Sequence, residues 1–176
     1  GRGSIEHCNV INKVDIVTST LGKALGGSSG GFTSGKKEII SYLRQKSRPY
    51  LFSNSLPPVI AATSITAIDI IKEQSELREQ LHENTYYFRT QIKKLGFKIR
   101  EGIHPIVPVM LYNSKTSKKI ASDLLKLGIY VISFSYPVVP KGQARIRIQI
   151  SAEHTKRQLD LALDSFEKVG RSNSVI

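Results

Sequence analysis

Three stretches of the sequence carry residue types that can do chemistry. In the first, Thr20-Leu21-Gly22-Lys23-Ala24-Leu25-Gly26-Gly27, a lysine sits among glycines directly after a β-rich run. A lysine at a strand end, in a partly dry cleft with cations nearby, has a destabilised ammonium form and becomes a nucleophile toward carbonyl carbon. The same spacing suits a solvated loop lysine, and both readings stand at this point. A phosphate-binding Walker loop is excluded, because Ala24 follows Lys23 where that loop needs Ser or Thr.

The second stretch, Ser53-Asn54-Ser55, lies just ahead of Pro57-Pro58. Hydroxyls before a helix start can hold phosphate together with exposed backbone N–H groups, or Ser55 can simply cap the helix. The third is Gln143-Ala144-Arg145-Ile146-Arg147-Ile148-Gln149. Strand alternation sends Arg145 and Arg147 to one face and the isoleucines to the other. Such a pair is either a solvated surface or supplies a bidentate clamp for a carboxylate. His82, His104 and His154 are scattered and read as structural or exposed. No His/Cys/Asp cluster has metal-ligand spacing, so no metal is expected, and no nucleophile elbow is present.

The elements that must position these groups are legible as period and punctuation. Residues 14–19 are β-rich, and the five glycines between Gly22 and Gly31 exclude a regular helix there. Residues 31–34 predict a short strand. Ile39, Ile40 and Leu43 give a helix over 36–45, and Pro57-Pro58 opens another, with Ala61, Ile65, Ile68 and Ile71 or Lys72 at helical steps. A long charged helix follows, with Leu77, Leu81, Phe88, Ile92 and Leu95 inward and Gly96 as its stop. Strands over 106–111, 129–134 and 144–150 then alternate with helices over 115–127 and 155–169. Ile120, Leu124 and Leu127 define the inner face of the first of these helices. Leu159, Leu163 and Phe166 define that of the second, which Ser151 or Thr155 opens.

The chain has 176 residues, 40% of them hydrophobic and 23% charged, which is globular rather than disordered or fibrous. Lys plus Arg number 26 against 14 Asp plus Glu, a net charge of +12. Residues 1–70 hold 8 basic and 4 acidic side chains and residues 71–176 hold 18 and 10, and a break near residue 72 separates two pieces. The second has the βαβ-like alternation of a compact α/β unit. The basic residues are spread along helices rather than interleaved with aromatics, so no nucleic-acid partner is expected. The uncharged run over 49–68 contains Pro49, Pro57, Pro58 and Asn54 and reads as a loop plus a helix, with no membrane partner. Cys8 is the single cysteine, which points to a reducing compartment. The opening Gly1-Arg2-Gly3-Ser4 has no initiator Met or signal pattern, and the expectation is that either the first residues were removed or the chain is one part of a longer polypeptide.

Taken together, the three stretches resemble one family. The run Asp15-Ile16-Val17-Thr18-Ser19-Thr20-Leu21-Gly22-Lys23-Ala24-Leu25-Gly26-Gly27 resembles the cofactor-lysine segment of the α-oxoamine synthases, pyridoxal 5'-phosphate (PLP) enzymes of the aspartate-aminotransferase fold type. Two further runs are similar to the glycine C-acetyltransferase branch. They are Ser47-Arg48-Pro49-Tyr50-Leu51-Phe52-Ser53-Asn54-Ser55-Leu56 and Tyr136-Pro137-Val138-Val139-Pro140-Lys141-Gly142-Gln143-Ala144-Arg145-Ile146-Arg147. The resemblance extends over essentially the whole chain.

That resemblance implies an α/β fold: the end of the PLP-binding large domain of a fold-type I transferase over residues 1–71, and its C-terminal α/β small domain over 72–176. It implies Lys23 as the Schiff-base lysine and the base for the glycine α-proton, with Thr20 on the cofactor phosphate. Ser53 and Asn54 would reach the phosphate of a neighbouring subunit, so the expected assembly is a homodimer with a shared site, or a complex with a complementary N-terminal segment. Arg147 would clamp the substrate carboxylate, with Arg145 turned to structure or solvent. The implied reaction condenses glycine with acetyl-CoA, releasing CoA and 2-amino-3-ketobutyrate, in threonine and glycine metabolism. The expected location is cytoplasmic, or the mitochondrial matrix in a eukaryote. The family's acid for the pyridine nitrogen and its ring-stacking group lie N-terminal to the matched stretch, so the chain by itself is expected to be inactive. The alternatives are an inactive remnant serving as a folded domain or assembly partner, and another α-oxoamine synthase.

Overall fold

The computed structural model describes residues 3–26 and 29–176. They form two compact units, Gly1–Ser75 and Glu76–Ile176.

The first unit is built around an antiparallel pair, β1 (Ile16–Thr20) and β2 (Gly31–Gly35), in the register Ile16 opposite Gly35 and Thr20 opposite Gly31. Both glycines are required by close approach. A Cβ at Gly31 would stand 2.7 Å from the Ser19 carbonyl oxygen, and one at Gly35 would stand 2.7 Å from that of Asp15. The unit also contains α1 (Ser4–His7), α2 (Lys37–Lys46), α3 (Arg48–Phe52) and α4 (Pro58–Glu73), with α2 packed on β2 and on α3. Sequence periodicity did not reveal α1 or α3, each under two turns long. Helix α4 starts as its prolines direct, with Pro57 at the N-cap and Pro58 at the first helical position, where a missing N–H costs nothing. No side chain caps it, so the capping role open to Ser55 is not realised. Its buried residue is Ser64, whose hydroxyl donates to the Ile60 carbonyl at 2.7 Å, while Ile65 is 62% exposed. Ala61, Ile68 and Ile71 are half-buried as the expected stripe requires, and Ile65 departs from it.

The second unit contains α5 (Glu76–Lys94), β3 (Ile106–Tyr112), α6 (Ser114–Lys126), β4 (Ile132–Phe134), β5 (Ala144–Gln149) and α7 (Lys156–Ser172). The strands are ordered β3-β5-β4, with β5 antiparallel to both neighbours. Strands β3 and β4 consequently run in the same direction with β5 inserted between them. The alternation seen in the sequence is thus a split βαβ crossover rather than adjacent parallel pairing. Strand β4 is shorter than the expected 129–134, because the helix stop consumes its beginning. Gly128 takes φ +82° and the Ile129 N–H closes back on the Leu124 carbonyl.

Alternation along β5 buries Ala144, Ile146 and Ile148, and these face Val107, Val109, Leu111 and the three helices. Phe166 is the hub of this core. Its ring meets Phe88 edge-on at 6.5 Å and Phe97 at 5.7 Å, contacts worth about 0.5–1.5 kcal/mol each beyond area burial. In α5 the inward stripe begins at Leu81, while Leu77 in the first turn is 45% exposed. Asn113 caps α6 by accepting from the Lys115 and Thr116 N–H groups. Thr155 and Gln158 form a full capping box on α7.

Candidate functional site

Lys23 lies in the turn that joins β1 to β2. The turn is pinned at its base, where the Leu21 N–H donates to the Gly30 carbonyl at 2.9 Å and the Leu21 side chain is 4% exposed. Within it the Gly26 N–H donates to the Lys23 carbonyl at 3.0 Å, and Gly26 and Gly30 both take positive φ. A β-branched or bulky residue in either place would be strained. Gly27, part of the sequence motif, lies outside the described residues. The Lys23 side chain itself is exposed, as is Thr20 at the end of β1.

The second candidate stretch approaches this same turn. Ser53 closes α3, its N–H donating to the Pro49 carbonyl at 3.1 Å, and the chain then runs extended to Pro57. Leu56 lays its Cδ1 against Gly30, at the spot that a Cβ on residue 30 would need. Gly30 in turn precedes Gly31, the register partner of Thr20. Leu56 thus touches the turn that carries Lys23 and follows Thr20, and the side chains of Lys23, Thr20, Ser53 and Asn54 are all exposed.

Arg145 and Arg147 project from the face of the second unit's sheet that the helices do not cover. They differ sharply despite sharing it. Arg147 is exposed and its guanidinium carbon sits 4.5 Å from the centroid of the Phe134 ring. Arg145 is half-buried, and its Nη1 is fully screened from solvent without a hydrogen-bond partner. Burial, and secondarily the positive charge of Arg100, lowers the Arg145 pKa from its ordinary value. Arg100 is itself engaged with the Gln143 side chain at 2.9 Å.

Three polar networks escaped sequence reasoning. Arg89 is buried and donates four hydrogen bonds to the carbonyls of Arg100, His104 and Ile106, organising the loop that leads into β3. Asn84 is buried and its amide donates to the carbonyls of Ser151 and His154 at 3.0 and 2.8 Å. Tyr87, Lys156 and Asp160 form a surface triad. A charged or amide residue on the inward stripe of α5 was the available signal for the first two. His104 and His154 each use Nδ1 to accept a backbone N–H, from Ile106 and Ser151. Among the described residues no group of three His, Cys, Asp or Glu could hold a metal ion, and no helix is long and apolar enough to cross a membrane.

The family model for aminotransferase class I and II matches residues 2–166, and the chain belongs to that family. It is 52% identical over its whole length to the 2-amino-3-ketobutyrate coenzyme A ligase of Salmonella typhimurium, covering 44% of that protein. It is 48% identical over its whole length to the 8-amino-7-oxononanoate synthase of Thermosipho melanesiensis, covering 45% of it. Among solved structures it is similar to a serine palmitoyltransferase variant from S. paucimobilis with bound PLP–myriocin aldimine. That match has a TM-score of 0.93 and 33% identity, over 99% of this chain and 44% of the other. The chain thus spans a little under half the length of these relatives.

Proposed function

We propose that this chain supplies the lysine and carboxylate-binding residues of a PLP-dependent acyltransferase that joins glycine to acetyl-CoA, giving 2-amino-3-ketobutyrate and CoA. The observation that carries the reading is the Lys23 turn, held at Leu21–Gly30 and backed by Leu56, which presents an exposed amine just beyond the strand-end hydroxyl of Thr20. The 52% identity to a 2-amino-3-ketobutyrate coenzyme A ligase supports the choice of reaction. A PLP ligand in a 33%-identical structure supports the choice of cofactor.

The donor set suits that group. An exposed amine matches an aldehyde, and hydroxyl and amide donors match a phosphate. The N-terminus of α4, which no side chain caps, adds backbone N–H groups and the positive end of its dipole. Lys23 would hold the cofactor through Nζ, Thr20 would bind its phosphate, and Ser53 and Asn54 would bind the phosphate of a second subunit in a homodimer. Residues 1–71 then form the end of a large PLP-binding domain and residues 72–176 a small domain. PLP, when bound, supplies an electron sink for the pair of electrons left on the amino-acid α-carbon.

The residues of the chain do the rest. Arg147 presents a planar fork of N–H donors to the glycine carboxylate and fixes its orientation. Lys23 Nζ, once the glycine amine has displaced it from the cofactor, would take the α-proton as general base. The new bond joins the glycine α-carbon to the acetyl carbonyl carbon, the carbon–sulfur bond breaks, and CoA leaves as the thiol. The location that accompanies this chemistry is the cytoplasm, or the mitochondrial matrix in a eukaryote. The 48% identity to an 8-amino-7-oxononanoate synthase favours a second reading, in which the acyl donor is a longer thioester.

Incubation of the assembled enzyme with PLP, borohydride reduction and peptide mapping test the site. Stoichiometric label on Lys23, absent in Lys23→Ala, is the expected result, whereas label scattered over the surface lysines would remove the assignment. Product analysis with acetyl-CoA against longer acyl-CoA donors separates the two acyl donors.

A further inference from the structure

The geometry points to Phe134 as the positioning residue for Arg147: its ring holds the guanidinium so that the N–H edge stays open to a carboxylate. This rests on the carboxylate role proposed for Arg147 and names what sets it. Arg147 is exposed, and a long exposed side chain samples many rotamers unless something holds it. Among the described residues Arg147 has no carboxylate partner, and its guanidinium carbon lies 4.5 Å from the Phe134 centroid. A guanidinium that meets a ring through its face keeps its five N–H donors, which lie in its own plane, available for a fork.

The position of Phe134 follows from its neighbours. In β4, Ser133 points to the helix side and its Oγ lies 2.6 Å from Oγ of Ser117, a fully buried residue of α6. Alternation then sends Phe134 to the opposite face. Its register partner on β5 is Arg145, and Arg147, opposite Ile132, is its diagonal neighbour. Diagonal pairs across an antiparallel ladder are within reach of aromatic and long side chains. The same ring stands across from Arg145, whose screened Nη1 has no partner, so of the two arginines it is Arg147 that is both exposed and backed by the ring. The strand that selects the arginine is therefore β4, at one edge of the sheet, not the one that carries it.

The test uses the full 176-residue chain, with acetate as the probe. Arginine side-chain Nε–Hε correlation spectra are recorded for the parent, Phe134→Leu and Phe134→Tyr, with Arg147→Lys to assign the signal. The parent and Phe134→Tyr should show an ordered Arg147 signal shifted by the ring current, and Phe134→Leu should lose both features. Acetate should perturb that signal with an affinity about two- to fivefold weaker in Phe134→Leu, the range for an exposed cation–ring contact. Phe134→Met serves in its place if leucine disturbs the backbone amide spectrum. An Arg147 signal unchanged in a natively folded Phe134→Leu overturns the positioning role and leaves the carboxylate assignment standing. A parent signal that is ordered by the ring yet indifferent to acetate overturns the carboxylate assignment instead.

Discussion

The hydroxyl oxygens of Ser117 and Ser133 lie 2.6 Å apart between α6 and β4, with Ser117 fully buried. Removing one partner leaves a polar group without its bond, which costs more than removing both. Ser117→Ala is expected to destabilise the chain by about 1–2 kcal/mol, and Ser117→Ala with Ser133→Ala by less than that. Urea unfolding of the two variants decides the matter. A double variant less stable than the single one would mean that the pair contributes through packing alone.

Gly30 carries two constraints. Its φ is +81°, and a Cβ would run into Leu56 Cδ1. Gly30→Ala should cost about 1–2 kcal/mol for the backbone conformation, and little beyond that, because the atom in the way is the tip of the flexible, partly exposed Leu56 side chain. Adding Leu56→Ala should therefore recover little. The Lys23 labelling yield with PLP and borohydride should fall alongside stability in Gly30→Ala, because the turn that presents the lysine is the element under strain.

Arg147→Lys replaces a planar fork with a point charge. In the assembled enzyme it is expected to weaken glycine binding by about 1.5–3 kcal/mol, roughly ten- to a hundredfold or somewhat more. Arg145→Lys should be much milder, since the Arg145 Nη1 is screened from solvent and offers little to a ligand. Glycine affinity read from the cofactor's absorbance shift compares the two. Equal effects would sink the clamp assignment.

The Tyr87 hydroxyl and then Lys156 hold the Asp160 carboxyl below its ordinary pKa, while Tyr87 and then Asp160 hold the Lys156 amine above its own. A depressed carboxyl stabilises the fold above its unfolded pKa of about 3.9, and that contribution is lost as pH falls through the lower folded value. A raised amine stabilises below about pH 10.4, and the contribution is lost as pH rises through the higher folded value. Asp123, held down first by Lys126, and Glu101, held down first by Lys93, act with the same sign as Asp160. Asp160→Asn should therefore lower the neutral plateau of a Tm-against-pH curve and, having less to lose, flatten part of its acid limb. An acid limb identical to the parent's would show that the triad carries no linkage.

Local pattern in the sequence determined a good deal here. The alternation of Arg145, Ile146, Arg147 and Ile148 is a property of any strand, and the structure keeps it. The helices that bury Leu124, Leu163 and Phe166 follow from steps of three and four, and Thr155 and Gln158 cap α7 because both partners lie within one turn. Lys23 in its glycine turn was visible for the same reason: the motif and its strand are contiguous. Only the tertiary structure decided which strand stands beside which. The order β3-β5-β4, the diagonal of Phe134 onto Arg147, the seat of Leu56 on Gly30 and the reach of Arg89 to three carbonyls all join residues far apart along the chain. Periods of 2 and 3.6 residues say which face a side chain takes, but not what it meets there. That depends on register and on which edge of a sheet is free, and these emerge only when the elements pack.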